Sequence, residues 1–247
     1  MSRQPAPDPG PARGTRHVVV VADGDVPSRA SLDAAWPGWA DGVEDVVAAD
    51  GGLLRASSAG LRPTLLVGDL DSLEPADVVA AERAGLPVRR APADKDESDT
   101  ELALLAAAAL GATRVTVLGA FGGARLDHAL ANLWLLAHPA LADHDVMLLD
   151  AGARVRLVAA RPGGAPVTRA LPGPPGAIVT LLPFGGEAVG VTTAGFRYPL
   201  HDEPLPAGPA RGLSNVREHP DAAVTLRAGR LLVVEIASGA GGLSSRP

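Results

Sequence analysis

Leu65-Leu66-Val67-Gly68-Asp69-Leu70-Asp71-Ser72 is a short apolar run that ends abruptly in two aspartates. A run with no polar face suits a strand covered on both sides, as in a parallel sheet. Alternate side chains of an extended chain share a face, so Asp69 and Asp71 are expected to project together from that strand's carboxyl end. Open α/β sheets place ligands there. Two adjacent carboxylates repel unless a cation lies between them, and hard oxygen ligands of this kind suit magnesium. The competing reading is a solvated turn in which Ser72 caps the next helix.

Outward from this stretch, short β-branched runs alternate with alanine- and leucine-rich segments from His17 to Asp150, the pattern of strands joined by crossover helices. Strands are expected at Val18–Ala22, Val46–Ala49, Thr64–Val67, Val88–Arg90, Val115–Leu118 and Val146–Leu149. Helices are expected at Leu53–Ala59, Ala76–Ala84, Thr100–Leu110 and His128–Ala137, each followed closely by glycine or proline. After Asp150 helical periodicity disappears and glycine and proline punctuate runs at Arg154–Val158, Ile178–Leu182, Ala222–Leu226 and Leu231–Ile236. The expected fold class is therefore α/β: an N-terminal parallel-sheet nucleotide-binding domain over 17–150 with helices on both faces, then a C-terminal all-β sandwich domain over 151–247. The first sixteen residues hold four prolines and no apolar core, and read as a disordered arm of a cytoplasmic protein.

Composition narrows the chemistry. At 247 residues the chain buries enough surface to need no structural metal or disulfide, and with no cysteine it has no thiolate site and no cysteine nucleophile. Twenty-two basic against 28 acidic residues give a net charge of -6, which argues against nucleic acid as the partner. The longest apolar stretch, Leu102–Leu110, is far short of the ~20 residues that span a bilayer.

Further stretches carry polar groups at strand ends. Asp50-Gly51-Gly52 ends a strand and opens a helix. Asp94-Lys95-Asp96-Glu97-Ser98-Asp99-Thr100-Glu101 contains Ser98 and Glu101 at capping-box spacing, with Asp99 in the first turn, where an acid also complements the helix dipole. Lys95 is the only lysine of the chain, and it lies inside the densest acidic cluster; a compact, flexible ammonium is useful against a phosphate chain. Gly119-Ala120-Phe121-Gly122-Gly123-Ala124-Arg125-Leu126-Asp127-His128 leads from a strand into a helix on which His128 and Asn132 share a face. Glycines there permit close backbone approach to an anion, while an isolated aspartate such as Asp127 serves by default as an N-cap. Gly212-Leu213-Ser214-Asn215 reads as a turn. The chain has no P-loop, no dinucleotide fingerprint after its first strand and no nucleophile elbow. A metal–nucleotide transferase fits this set better than a hydrolase or a dehydrogenase.

Together, Asp50-Gly51-Gly52, Gly68-Asp69-Leu70-Asp71-Ser72, Asp94 to Asp99, Gly122 to His128 with Asn132, and Ser214-Asn215 resemble the thiamine pyrophosphokinase family in order and spacing, over about residues 17 to 236. Gly195-Phe196-Arg197-Tyr198-Pro199-Leu200 looks like a strand of that family's β domain. The resemblance implies transfer of the pyrophosphoryl group of ATP to the hydroxyl of thiamine, leaving AMP, in a homodimer with active sites between subunits. It also implies that Asp69, Asp71 and Asp99 hold Mg2+, with Asp50 nearby, and that Lys95, Ser98, Gly122, Gly123 and Arg125 contact ATP. Asp127, His128 and Asn132 would form the thiamine pocket, closed by Ser214 and Asn215 of the partner. Ala124 separates the glycine pair from Arg125, and Val216 follows Ser-Asn, where many relatives have G-G-R and glutamate. The alternatives are a pyrophosphokinase for another alcohol, such as a hydroxymethyl pterin, and a nucleotide-sensing protein without turnover.

Overall fold

Residues 15–238 are described by a computed structural model. Its first half contains strands β1 (His17–Val21), β2 (Val43–Ala49), β3 (Leu65–Gly68), β4 (Val88–Arg90), β5 (Arg114–Leu118) and β6 (Asp145–Leu149). These pair in parallel in the order β4-β3-β2-β1-β5-β6. Helices α1 (Arg29–Ala35), α2 (Gly52–Arg55, continued as a 3-10 turn over Ala56–Ala59), α3 (Pro75–Arg83), α4 (Asp99–Ala109) and α5 (Leu126–Leu135) connect them.

The central strand β1 is buried at every position because both faces are covered. Val18 and Val20 pack with Ala103, Leu104 and Ala107 of α4, whose small side chains let the helix lie close to the sheet. Val19 and Val21 pack on the opposite face with Leu32 of α1 and with Ala56 and Ala59. Helix α3 covers the same opposite face further out, Val78 meeting Ala48 and Leu66. Helix α1 has no apolar stripe, since Leu32 is its one buried residue; a local cap, Ser28 accepting from the Ser31 amide, starts it instead.

The second half is all strand: β7 (Ala153–Ala160), β8 (Val167–Ala170), β9 (Ile178–Pro183), β10 (Ala188–Ala194), β11 (Glu203–Leu205), β12 (Asn215–Val216), β13 (Ala223–Leu226) and β14 (Gly229–Ile236). Strand β7 pairs antiparallel with β6, and β14, β9 and β12 follow, so the parallel sheet grows into a mixed sheet of ten strands. Strands β11-β10-β13-β8 form a separate antiparallel sheet. Val158, Val179, Leu181, Leu231 and Val233 of the large sheet share a core with Leu171, Val191, Leu205, Val224 and Leu226. Two facing β layers are therefore present, and one of them is a continuation of the parallel sheet through the β6–β7 hydrogen bonds.

Where the layers meet, the buried Glu235 carboxylate receives Arg154 Nε at 2.6 Å, Arg217 Nη2 at 2.6 Å and Arg156 Nη1 at 3.3 Å. Among the described residues, no helix is long and apolar enough to cross a membrane.

Two expectations are corrected. Gly195–Leu200 is a turn rather than a strand: Gly195 has φ +79°, Pro199 has no amide to donate, and only Phe196 makes a bridge, to Arg217. The arm expected over residues 1–16 lies outside the described residues up to 14, but Arg16 is tied down. Its amide donates to Thr113 Oγ1 and its guanidinium reaches Asp45 at 2.5 Å.

Candidate active site

Four parallel strands end side by side, and each carboxyl end carries a polar tip: Asp23-Gly24-Asp25 after β1, Asp50-Gly51-Gly52 after β2, Gly68 to Ser72 after β3, and Gly119 to Asp127 after β5. Successive strands β1 to β4 extend one way from β1, whereas β5 lies on its other side, so the tips surround the point where the strand order reverses. They line a cleft of about 780 Å³.

Its floor is acidic. Asp50, Asp69 and Asp99 each offer a carboxylate oxygen, and these three atoms lie within 4.8 Å of one another. Asp50 is buried in the left-handed region (φ +46°), which aspartate tolerates better than most residues. Its Oδ2 accepts from the Ser72 amide at 3.3 Å, whereas its buried Oδ1 has no partner among the described residues. Burial, together with the nearby Asp99 and Asp71, raises its pKa above the usual carboxylate value. Asp99 opens α4, whose N-cap Ser98 accepts from the Glu101 amide, and its Oδ1 accepts from the Asp69 amide at 3.3 Å. Gly68 makes this crowding possible: a Cβ there would stand 3.0 Å from Asp99 Oδ1 and 3.1 Å from Asp50 Cβ.

Lys95 lies in this cluster, its Nζ 2.5 Å from Asp69 and 3.1 Å from Asp99 with the side chain only 10% exposed. Burial works against the ammonium's charge, but the two carboxylates outweigh it and hold the pKa of Lys95 above its usual value. Lys95 in turn holds Asp69 down. The alternation expected for Asp69 and Asp71 is not found, because β3 ends at Gly68 and Leu70 turns back with φ +68°. Asp71 lines the cleft, but its carboxylate stands outside the three-carboxylate group and accepts from Ser72 Oγ at 3.3 Å. Ser72 does not cap α3, whose N-cap is Glu74.

The opposite wall is the glycine turn and α5. Gly122 and Gly123 have φ +78° and +71°, and buried Asn132 braces the turn by donating Nδ2 to the Ala120 carbonyl at 2.9 Å. Asp127 is not the N-cap; Arg125 is. Arg125 instead grips Asp127 with Nη2 to Oδ2 at 2.6 Å and Nε to Oδ1 at 2.9 Å, holding that carboxyl well below its usual range. His128 lines the cleft in an exposed position.

Ser214 and Asn215 are not brought to the cleft within one chain. Asn215 clamps Tyr198, accepting from its amide at 3.1 Å and donating to its carbonyl at 2.7 Å, while Ser214 donates its amide to Thr180 Oγ1. The residues that sequence reasoning passed over are Asp23, Gly24, Arg55 and Thr100, all lining the cleft. Asp23-Gly24 repeats, after β1, the acid-glycine pattern of Asp50-Gly51, a signal legible in the sequence.

Residues 40–148 match the family model described as thiamin pyrophosphokinase, catalytic domain, and residues 171–231 match thiamin pyrophosphokinase, vitamin B1 binding domain, together more than half of the chain. Thiamine pyrophosphokinase of Bacillus subtilis (strain 168) is 25% identical over 198 residues, covering 76% of this chain and 85% of that protein. A crystal structure of a thiamin pyrophosphokinase family protein from Enterococcus faecalis is 28% identical with a TM-score of 0.72, covering 91% of this chain and 100% of that one. The crystal structure of the Bacillus subtilis enzyme, 23% identical, shares the fold with a TM-score of 0.75, covering 90% of this chain and 100% of that one.

Proposed function

Because the chain belongs to the thiamine pyrophosphokinase family, we propose that the cleft at the β1, β2, β3 and β5 tips is where ATP gives up its pyrophosphoryl group to thiamine. The hydroxyl oxygen of thiamine bonds to the β-phosphorus, the bond from that phosphorus to the oxygen bridging to the α-phosphate breaks, and AMP leaves. The match of residues 171–231 to a vitamin B1 binding model favours thiamine over a pterin alcohol as the acceptor.

The observation that carries this reading is the cluster of Asp50, Asp69 and Asp99 with the unpartnered, buried Oδ1 of Asp50. Three carboxylates this close, one with an oxygen that no group among the described residues satisfies, suit a hard divalent cation, and Mg2+ is the ion we assign to them. Bound there, Mg2+ would neutralise charge on the phosphate oxygens as the transfer proceeds. Lys95 then has phosphate oxygens as alternative partners to Asp69 and Asp99. Ser98, Gly122 and Gly123 border the triphosphate, and Arg125 and Asp127 together face the acceptor. Asp71, at the rim and outside the cluster, receives the proton of the attacking hydroxyl, and His128 orients the acceptor.

The cleft lining contains no phenylalanine, tyrosine or tryptophan, although thiamine is a pair of aromatic rings. Ser214 and Asn215 lie elsewhere on the chain, which supports a homodimer in which the partner's 171–231 segment closes each site. We also assign nucleotide binding to 17–150 and acceptor binding to 151–247. The test is AMP release with thiamine and Mg2+-ATP: stoichiometric AMP and thiamine diphosphate are expected. Turnover of a hydroxymethyl pterin in place of thiamine would overturn the assignment of the acceptor.

A further inference from the structure

Six carboxylates line the cleft, those of Asp23, Asp50, Asp69, Asp71, Asp99 and Asp127, and a triphosphate adds about four more negative charges. Cations must face it, and most of those near the cleft are already engaged. Lys95 is bonded to Asp69 and Asp99, and Arg125 is held through both Nε and Nη2 by Asp127. Arg55 differs. It closes α2, five residues beyond Asp50, lines the cleft and is 52% exposed; among the described residues its one ion pair is through Nε to Asp23 Oδ1 at 3.3 Å.

That single bond holds the guanidinium at Nε and leaves the two terminal amino groups for a ligand. A planar fork with two free amino groups matches a phosphate better than an ammonium does. The chain is also shaped to permit the arrangement. A Cβ on Gly51 would lie 2.3 Å from Asp23 Oδ1, so glycine at this position lets the Asp23 carboxylate lie against the β2 tip and reach Arg55. Gly52 is held as tightly, since its Cβ would lie 2.0 Å from the Val21 carbonyl oxygen, and this fixes the start of the turn that carries Arg55.

We propose that Arg55, oriented by Asp23, is a clamp for the polyphosphate chain of the nucleotide. This rests on the pyrophosphokinase reading above and adds to it a cation that no motif of the sequence assigned. Its part in the reaction is to bind and align the phosphates.

The experiment is a binding ladder by calorimetry without thiamine, using adenosine, AMP, ADP and ATP, each with Mg2+, on the full chain and on Arg55→Ala and Arg55→Lys. Arg55→Ala is expected to bind ATP about tenfold or more weakly, the usual loss for a charge-assisted hydrogen bond, with adenosine unchanged. Arg55→Lys is expected to recover part of the loss. In turnover the KM for ATP should rise while the KM for thiamine holds. An equal loss for adenosine and ATP in both variants, or no loss in either, overturns the clamp. Wild-type AMP release is measured alongside: its absence overturns the assigned activity, whereas the ladder judges Arg55 independently.

Discussion

At the scale of single residues, the cluster separates carboxylates that the sequence presents as equals. Asp99 belongs to the group of three, whereas Asp71 stands at the rim. Asp99→Asn is therefore expected to lose both Mn2+ binding, followed by electron paramagnetic resonance, and AMP release. Asp71→Asn should keep the metal within about threefold and lose turnover by about 10²-fold or more, as for a missing general base. Loss of Mn2+ by Asp71→Asn would return it to the ligand set. Lys95→Arg keeps the charge but offers a planar fork where two carboxylates hold a compact ammonium, so its KM for ATP should rise; unchanged kinetics would count against the assigned role. Lys95 was legible because it is the only lysine in an arginine-rich chain. Asp69 and Asp99 with Asp50 nearby followed from the family resemblance, but that Asp50 and not Asp71 completes the group of three was not legible, because it depends on the backward turn at Leu70 and on the missing Cβ of Gly68, neither of which follows from strand alternation.

At the scale of elements, the parallel strands and most helices were legible because their apolar runs are covered on both faces or along a stripe. Helix α1 and the strands β8, β10, β11 and β12 were not. Helix α1 buries a single leucine, and the strands are short, half-exposed or made of threonine, glycine and alanine. The tight approach of the β2 tip to β1 gives a prediction at this scale. Gly52→Ala must displace backbone, because the new carbon meets the Val21 carbonyl, and it is expected to cost about 1–3 kcal/mol of stability, read from denaturant unfolding. An unchanged midpoint would mean that the strand tips yield without cost. Helix α5 is tied at its inner face to the start of the glycine turn by Asn132 on the Ala120 carbonyl.

At the scale of the whole molecule, His17 links the fold to pH. It is buried at the start of β1, its Nδ1 toward the Asp41 carbonyl and its Nε2 against Thr116 Oγ1, while Arg114, Asp145 and Asp41 are the charged groups around it. Burial lowers its pKa, so the unfolded chain takes up the proton first. The stability it contributes is complete above about 6.5 and declines as pH falls from there toward the depressed folded value. The denaturant midpoint should fall between pH 7 and pH 5, and His17→Gln should flatten that slope; an equal slope in both proteins would assign the effect to other groups. The proposed homodimer with sites shared between subunits makes a second prediction. Mixing refolded Asp99→Asn and Asn215→Ala, each inactive alone, should restore about a quarter of wild-type activity, because half the dimers are mixed and each mixed dimer holds one intact site. No recovery would mean that each chain builds its own site. The ten-stranded sheet bears on motion as well. Because Met147, Leu148 and Leu149 of β6 pair with Arg156, Val155 and Arg154 of β7, one continuous sheet joins the halves, and swinging one against the other would break those pairs. With the partner's 171–231 segment proposed to close each site, slow steps in turnover should respond to glycine or proline placed in the loop carrying Lys95 or the turn carrying Arg125 and be indifferent to changes at the joint.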